Sequence, residues 1–239
     1  RLPSKSTINV AMVAGDQSEL FSTWRSFVLR DRSTDLESEK LSEIYGRQLK
    51  RALSRTLVLL QEGHLDLAVW PEEAVFVPHY LYEDFQHQVA HFAKANGVDL
   101  MVGYALDTGR MEVPFMENRA AYFDETGEKR FDYTKTKLGP GAESHFFVRG
   151  EQGLPYTSTS YGSIAGGICR DYGYPFLVSV VSQKNPSLFL APTAWFHPKG
   201  LDRMGNIMRA METGIPFVIA NQSSGLVVDG QGRVLAEKH

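Results

Sequence analysis

Three segments of this chain carry residue types that could do covalent chemistry together. The first is "GGICRDYGYP", Gly166 to Pro175, which holds Cys169, the only cysteine. An apolar run ends at that thiol, and Pro175 suits the first turn of a following helix. A thiol between strand end and helix start meets free backbone N–H groups and a helix dipole, which predicts a favoured thiolate. The plainer reading is a small buried hydrophobe. The second segment is "LDLAVWPEEA", where a buried-strand pattern runs into Pro71, Glu72 and Glu73. A carboxylate at a strand's carboxyl end, partly desolvated, can serve as a base. The plainer reading is an acid in a helix's first turn. The third is "YTKTKLGPGAES". Alternation places Lys135 and Lys137 on one side of a strand, and Glu143 follows the "GPG" turn. A buried lysine needs a partner, whereas a solvated edge would need none. Each signal alone is weak. Thiol, carboxylate and ammonium together are the parts required for acyl transfer through a thioester.

The rest of the chain must position them. Runs such as "INVAMV", "DLMVGYAL", "RAAYFD", "SIAGGIC", "SLFLAP", "PFVIAN" and "SGLVVD" have strand-like length and content. Helical spacing marks "DLESEKLSEIYGRQLKRALSRTLVLLQEG", "YLYEDFQHQVAHFAKANG" and "GLDRMGNIMRAMETGIP". Hairpins are expected in "FDETGEKRF" and in "VVDGQGRVL", the latter with Asp229-Gly230 at its tip. Strands alternating partly with helices and partly with hairpins predict an α/β fold with a mixed sheet.

Composition narrows the classes. The 239 residues are 43% hydrophobic and 22% charged, as in a globular fold. A net charge of −3 gives no nucleic-acid footprint, and one cysteine cannot form an internal disulfide. No apolar run reaches the ~18–20 residues that span a bilayer, and no signal peptide is visible. The start at Arg1 predicts a segment upstream that was cut away. His87 and His91 stand four apart on an expected helix, a spacing that can bind zinc, but there is no His-Glu-x-x-His pattern. Phosphate-loop, dinucleotide and serine-elbow motifs are missing.

In order and spacing, "WPEE", "YTKTKL" and "ICRD" resemble the motifs of the carbon–nitrogen hydrolase (nitrilase) superfamily. Within it, the tryptophan before Pro-Glu, "KLGPGAE", "TAWF" and "RAMETGIPFVIANQSSG" resemble the catalytic domain of apolipoprotein N-acyltransferases. The resemblance implies a single domain over residues 1–239, a four-layer αββα sandwich with mixed sheets, and no cofactor. It implies Glu72 as base, Lys135 as oxyanion stabiliser, Glu143 orienting Lys135, and Cys169 as acyl acceptor. The backbone N–H of Arg170 and the carboxylate of Asp171 are supporting residues, and Trp195, Phe196 and Phe146 shape a substrate pocket. Arg170, Asp171, Gly139, Gly141 and Ala142 depart from the family pattern, which touches the substrate more than the chemistry. If the chain is an N-acyltransferase, a phospholipid is donor and a lipoprotein amino terminus acceptor. "AVFVPHYLY" then lines a lipid pocket, a membrane bundle precedes Arg1, and the domain sits on the periplasmic face of a bacterial inner membrane. If it is a soluble amidase, a small amide and water replace them, in the cytoplasm. A binding domain that has lost catalysis is the third alternative, and homo-oligomerisation stays open. The chain ends at His239, where the family continues with further strands, so truncation is expected.

Overall fold

The computed structural model describes residues 7–15, 35–194 and 201–238. It contains two six-stranded sheets. In the first, β1 (Val10–Met12), β2 (Leu67–Val69) and β4 (Asp99–Asp107) run parallel. Beyond β4, β5 (Met116–Phe123) and β6 (Lys129–Thr134) follow as an antiparallel meander. The short β3 (Val75–Val77) pairs with β4 in line with β2. The second sheet is ordered β12-β11-β10-β9-β8-β7. Its strands are β7 (Tyr156–Thr159), β8 (Gly162–Gly166), β9 (Leu188–Pro192), β10 (Phe217–Ala220), β11 (Gly225–Val228) and β12 (Val234–Lys238). Strands β8, β9 and β10 are parallel and the outer pairings antiparallel.

Side-chain alternation along β4 shows why there are four layers. Leu100, Val102, Tyr104 and Leu106 face outward. They pack on Tyr45, Leu49 and Ala52 of α1 (Asp35–Glu62) and on Phe85, Val89 and Ala93 of α2 (Tyr82–Asn96). Met101 faces inward, in one cluster with Phe189, Leu190, Phe217 and Ile219 of the second sheet. That sheet's far side is covered by Val178 and Val181 of α4 (Pro175–Ser182) and Ala210 of α5 (Leu201–Thr213). A sheet buried on both faces must be apolar on both, and all nine residues of β4 are buried. The expected αββα arrangement is what forms.

Three local expectations change. Strand β6 ends at Thr134, so Lys135 and Lys137 do not share a strand face. The first half of "AVFVPHYLY" is core and not pocket lining: Val75, Phe76 and Val77 are fully buried strand, and the exposed His79 and Tyr80 lie in the short 3-10 turn His79–Leu81 that follows. In the β11–β12 hairpin the left-handed residue is Gly232, with φ 82°, rather than Gly230, because Asp229 Oδ1 caps the N–H groups of Gln231 and Arg233. His87 and His91 are exposed on α2, and among the described residues no group of three or more metal-ligating side chains occurs. Among those residues, no helix is long and apolar enough to cross a membrane.

Candidate active site

Glu72 sits where the row of strands paired along one side of β4 is interrupted. Strands β2 and β3 both pair with β4, and between them the chain arches away. Trp70 N–H still reaches Met101 O at 2.8 Å and Ala74 N–H reaches Gly103 O at 3.0 Å. The arch passes directly over Gly103. A Cβ there would lie 2.2 Å from Pro71 O and 2.9 Å from Glu72 Cα, so only glycine permits it. Glu73 turns the chain with φ 54°, and Gln222 Nε2 donates to Glu72 O at 2.7 Å. The Glu72 carboxylate is thereby held inside the protein, in a loop and not in a helix's first turn.

Its partners come from three other elements. Lys135, one residue past β6, donates from Nζ to Glu72 Oε1 at 2.7 Å and to Glu143 Oε1 at 2.6 Å. Glu143 belongs to the short α3 (Ala142–Phe146), and its other oxygen accepts from Gly139 N–H. Asn118 on β5 donates from Nδ2 to Glu72 Oε1 at 2.7 Å and to Glu143 Oε1 at 3.2 Å. Ala194 N–H, just past β9, donates to Glu72 Oε2 at 2.7 Å. Burial alone would drive Lys135 towards the neutral amine, but the negative charges of Glu72 and Glu143 oppose this, and its pKa lies well above the ordinary lysine value.

Cys169 opens a five-residue 3-10 turn, Cys169–Gly173, with the left-handed φ of 44°. Such a backbone costs about 1–3 kcal/mol in a non-glycine residue and needs support. Asp171 supplies it. Fully buried, it accepts from the N–H groups of Ile168 (3.2 Å), Thr136 (3.2 Å) and Lys137 (2.7 Å) and from the hydroxyls of Thr136 (3.0 Å) and Tyr133 (2.9 Å). One carboxylate thus ties the cysteine turn to the segment that carries Lys135. Burial raises the pKa of Asp171, against these donors. Tyr172 anchors the turn on Phe189 and Phe217.

The thiol is not a resting thiolate, contrary to the dipole argument. Burial, reinforced by the negative charge of Glu72, pushes Cys169 up to about 12, although Lys135 and the Thr193 hydroxyl pull the other way. A single 3-10 turn offers a small dipole, and desolvation beats it. Cys169 retains partial solvent exposure while its sulfur feels Glu72, Lys135 and Glu143. A neutral thiol, a buried carboxylate and a fixed ammonium make an arrangement that can move one proton and stabilise one developing negative charge.

The carbon–nitrogen hydrolase family model matches residues 6–239. The chain belongs to the carbon–nitrogen hydrolase family. No curated protein matches it significantly. Solved structures do. An amidase from Nesterenkonia sp. AN1 superposes with TM-score 0.68 at 22% identity, covering 81% of this chain and 82% of that one. A glutamate-to-glutamine variant of the Nesterenkonia amidase is described with acrylamide added at its active-site cysteine; it has TM-score 0.68 and 22% identity over 81% and 83% of the two chains. A branch 10 member of the nitrilase superfamily from Saccharomyces cerevisiae has TM-score 0.69 and 18% identity over 82% and 80%. At these identities the likeness is one of fold.

In this carbon–nitrogen hydrolase, the four residues expected to do chemistry, Glu72, Lys135, Glu143 and Cys169, do come together. Asp171 braces the turn, with its carboxylate accepting from Ile168, Tyr133, Thr136 and Lys137. The Arg170 side chain is exposed and lies 5.8 Å from the Tyr174 ring centroid. Its backbone N–H, second in the 3-10 turn, belongs to the groups that find no partner within a helix. Lys137 stacks on the same ring at 5.0 Å. Phe146 packs on Phe115, with ring centroids 5.6 Å apart, beside the cluster that includes Ala194. Trp195 and Phe196 lie outside the described residues. Asn118, Thr193 and Ala194 were not foreseen. Thr193 and Ala194 open the "TAWF" stretch and directly follow a buried strand, at the edge where α/β sites form.

Proposed function

We propose that this carbon–nitrogen hydrolase is an amidase that cleaves a small amide through an acyl-thioester on Cys169. Glu72 takes the thiol proton as the sulfur attacks the amide carbonyl carbon. The carbonyl oxygen becomes an oxyanion, met by the Lys135 ammonium and the Arg170 N–H. As the tetrahedral intermediate collapses, the C–N bond breaks, Glu72 returns its proton to the nitrogen, and ammonia or an amine leaves. Glu72 then takes a proton from water, hydroxide attacks the thioester, and the acid leaves as the proton returns to sulfur. Glu143 holds Lys135 without competing for the thiol. The observation carrying this reading is the buried Lys135 ammonium gripped by Glu72 and Glu143 beside a neutral thiol.

An N-acyltransferase would share the first half and pass the acyl group to an amine. Water as acceptor is favoured because Val75, Phe76 and Val77, in the stretch expected to line a lipid pocket, are core strand, and because similar solved structures are described as amidases. The test is intact-protein mass spectrometry after exposure to short primary amides and, separately, to phospholipid, with ammonia release followed in parallel. A short acyl adduct on Cys169 with ammonia release supports the amidase. A long-chain adduct from phospholipid alone overturns it.

A further inference from the structure

Asn118 is fully buried, and its amide faces carboxylates only through its nitrogen. Nδ2 donates to Glu72 Oε1 at 2.7 Å, Glu143 Oε1 at 3.2 Å and Glu73 Oε1 at 3.3 Å. Oδ1 has no hydrogen-bond partner. Leaving a buried carbonyl unpaired is costly, and a strand position in a sheet core gives no packing reason for a polar residue. Lys135 Nζ meets the same two oxygens, Glu72 Oε1 and Glu143 Oε1, at 2.7 and 2.6 Å. Each of those oxygens is therefore bridged twice, once by an ammonium and once by an amide.

An ionised carboxylate oxygen offers about two acceptor directions. Both directions on Glu72 Oε1 are taken, by Lys135 and Asn118. Oε2 has one, taken by Ala194 N–H. One direction on Oε2 is left. We propose that Asn118 is a positioning residue that commits Glu72 Oε1 to the lysine and leaves Oε2 as the atom that receives the Cys169 proton. The proposal rests on the reading of Glu72 as base.

The groups facing Glu72 are Lys135 from the segment after β6, Glu143 from α3, Cys169 and Tyr172 from the 3-10 turn, and Glu73 from its own loop. Two carboxylates, Glu72 and Glu143, thus share one ammonium, and Glu73 joins them on Asn118 Nδ2. An amide supplies donors there without adding a charge; an aspartate would add a fourth carboxylate.

The experiment is alkylation of Cys169 by iodoacetamide, in which the sulfur–carbon bond forms, iodide leaves and the thiol proton passes to Glu72. Rates are measured from about pH 5 to about pH 9 in wild type, Asn118→Leu and Asn118→Asp, with the melting temperature of each. Asn118→Leu is expected to slow alkylation at neutral pH by roughly tenfold or more. Asn118→Asp should move the acidic limb of the profile up by about one pH unit, because lost donors and added charge both favour a protonated Glu72. Should the leucine variant fail to fold, the isosteric aspartate carries the test. Wild-type rate and limb in a folded variant would overturn the proposal, as would a loss that only tracks the unfolded fraction. Alkylation needs no natural substrate. A shifted limb without any amide hydrolysis leaves the positioning role standing and sinks the amidase; hydrolysis with an unshifted limb does the reverse.

Discussion

Two buried carboxylate clusters lie along β4, and they do different work. At its start, Asp99 accepts from the hydroxyls of Tyr122 and Tyr161 and, at 2.6 Å, from Glu125 N–H. Tyr122 belongs to the first sheet, and Tyr161 sits between β7 and β8 of the second, so the cluster clamps the sheets together. Halfway along, the arch over Gly103 brings in Glu72. Its donors are an ammonium and an amide, both shared with a second glutamate, beside a thiol. Burial raises Asp99, and its tyrosine and backbone donors oppose that shift locally. The lesson is that burial of a carboxylate does not mark a site. What marks it is charge held in excess around one cation, within reach of a group that can give up a proton.

Substitutions in the two clusters break or sharpen this contrast. The largest effect is expected from Cys169→Ala, which should lower turnover by at least about 10⁴-fold and abolish any acyl adduct by mass spectrometry. Lys135→Met should cost about 10²–10³-fold in kcat. It should also destabilise the fold by about 3–5 kcal/mol in denaturant titration, because the buried Glu72 and the half-buried Glu143 lose their cation. Asp171→Ala should destabilise by about 3 kcal/mol and slow Cys169 alkylation together, since one carboxylate holds both the turn and the Lys135 segment. At the clamp, Tyr161→Phe should cost about 1–2 kcal/mol of stability and leave alkylation unchanged. The clamp also has a pH sign. The folded pKa of Asp99 lies above its unfolded value, so its contribution is fullest below about pH 4 and fades as pH rises through the folded pKa. Wild type should therefore lose stability relative to Asp99→Asn across that window. The smallest effect belongs to Arg170→Ala: the guanidinium lies against Tyr174, so rates should stay within about twofold.

The parts of the site legible in the sequence were those whose chemistry shows in residue type next to a strand end. Glu72, Lys135 and Cys169 fall in this group, as do most strands and all three long helices, whereas the role of Glu143 is implied only by the family resemblance. What stayed hidden depended on distant partners. Asn118 reads as an ordinary polar residue in "MENRAAYF", and its meaning comes from carboxylates brought to it by a loop, a helix and a strand end. Strand β3 reads as a loop because it is three residues long and pairs non-locally with β4. The alternation of Lys135 and Lys137 predicted a shared face, but the strand ends one residue earlier. The dipole argument misses the thiol's charge state because a helix dipole is visible in a sequence and desolvation is not.

The central claim is that Glu72 deprotonates Cys169 at the moment of attack. The most direct test is the iodoacetamide alkylation rate of Cys169 at neutral pH in wild type and in Glu72→Gln, read by peptide mass spectrometry. The account predicts a fall of about 10²-fold or more in the variant, with its fold retained. Equal rates in the two proteins would contradict it.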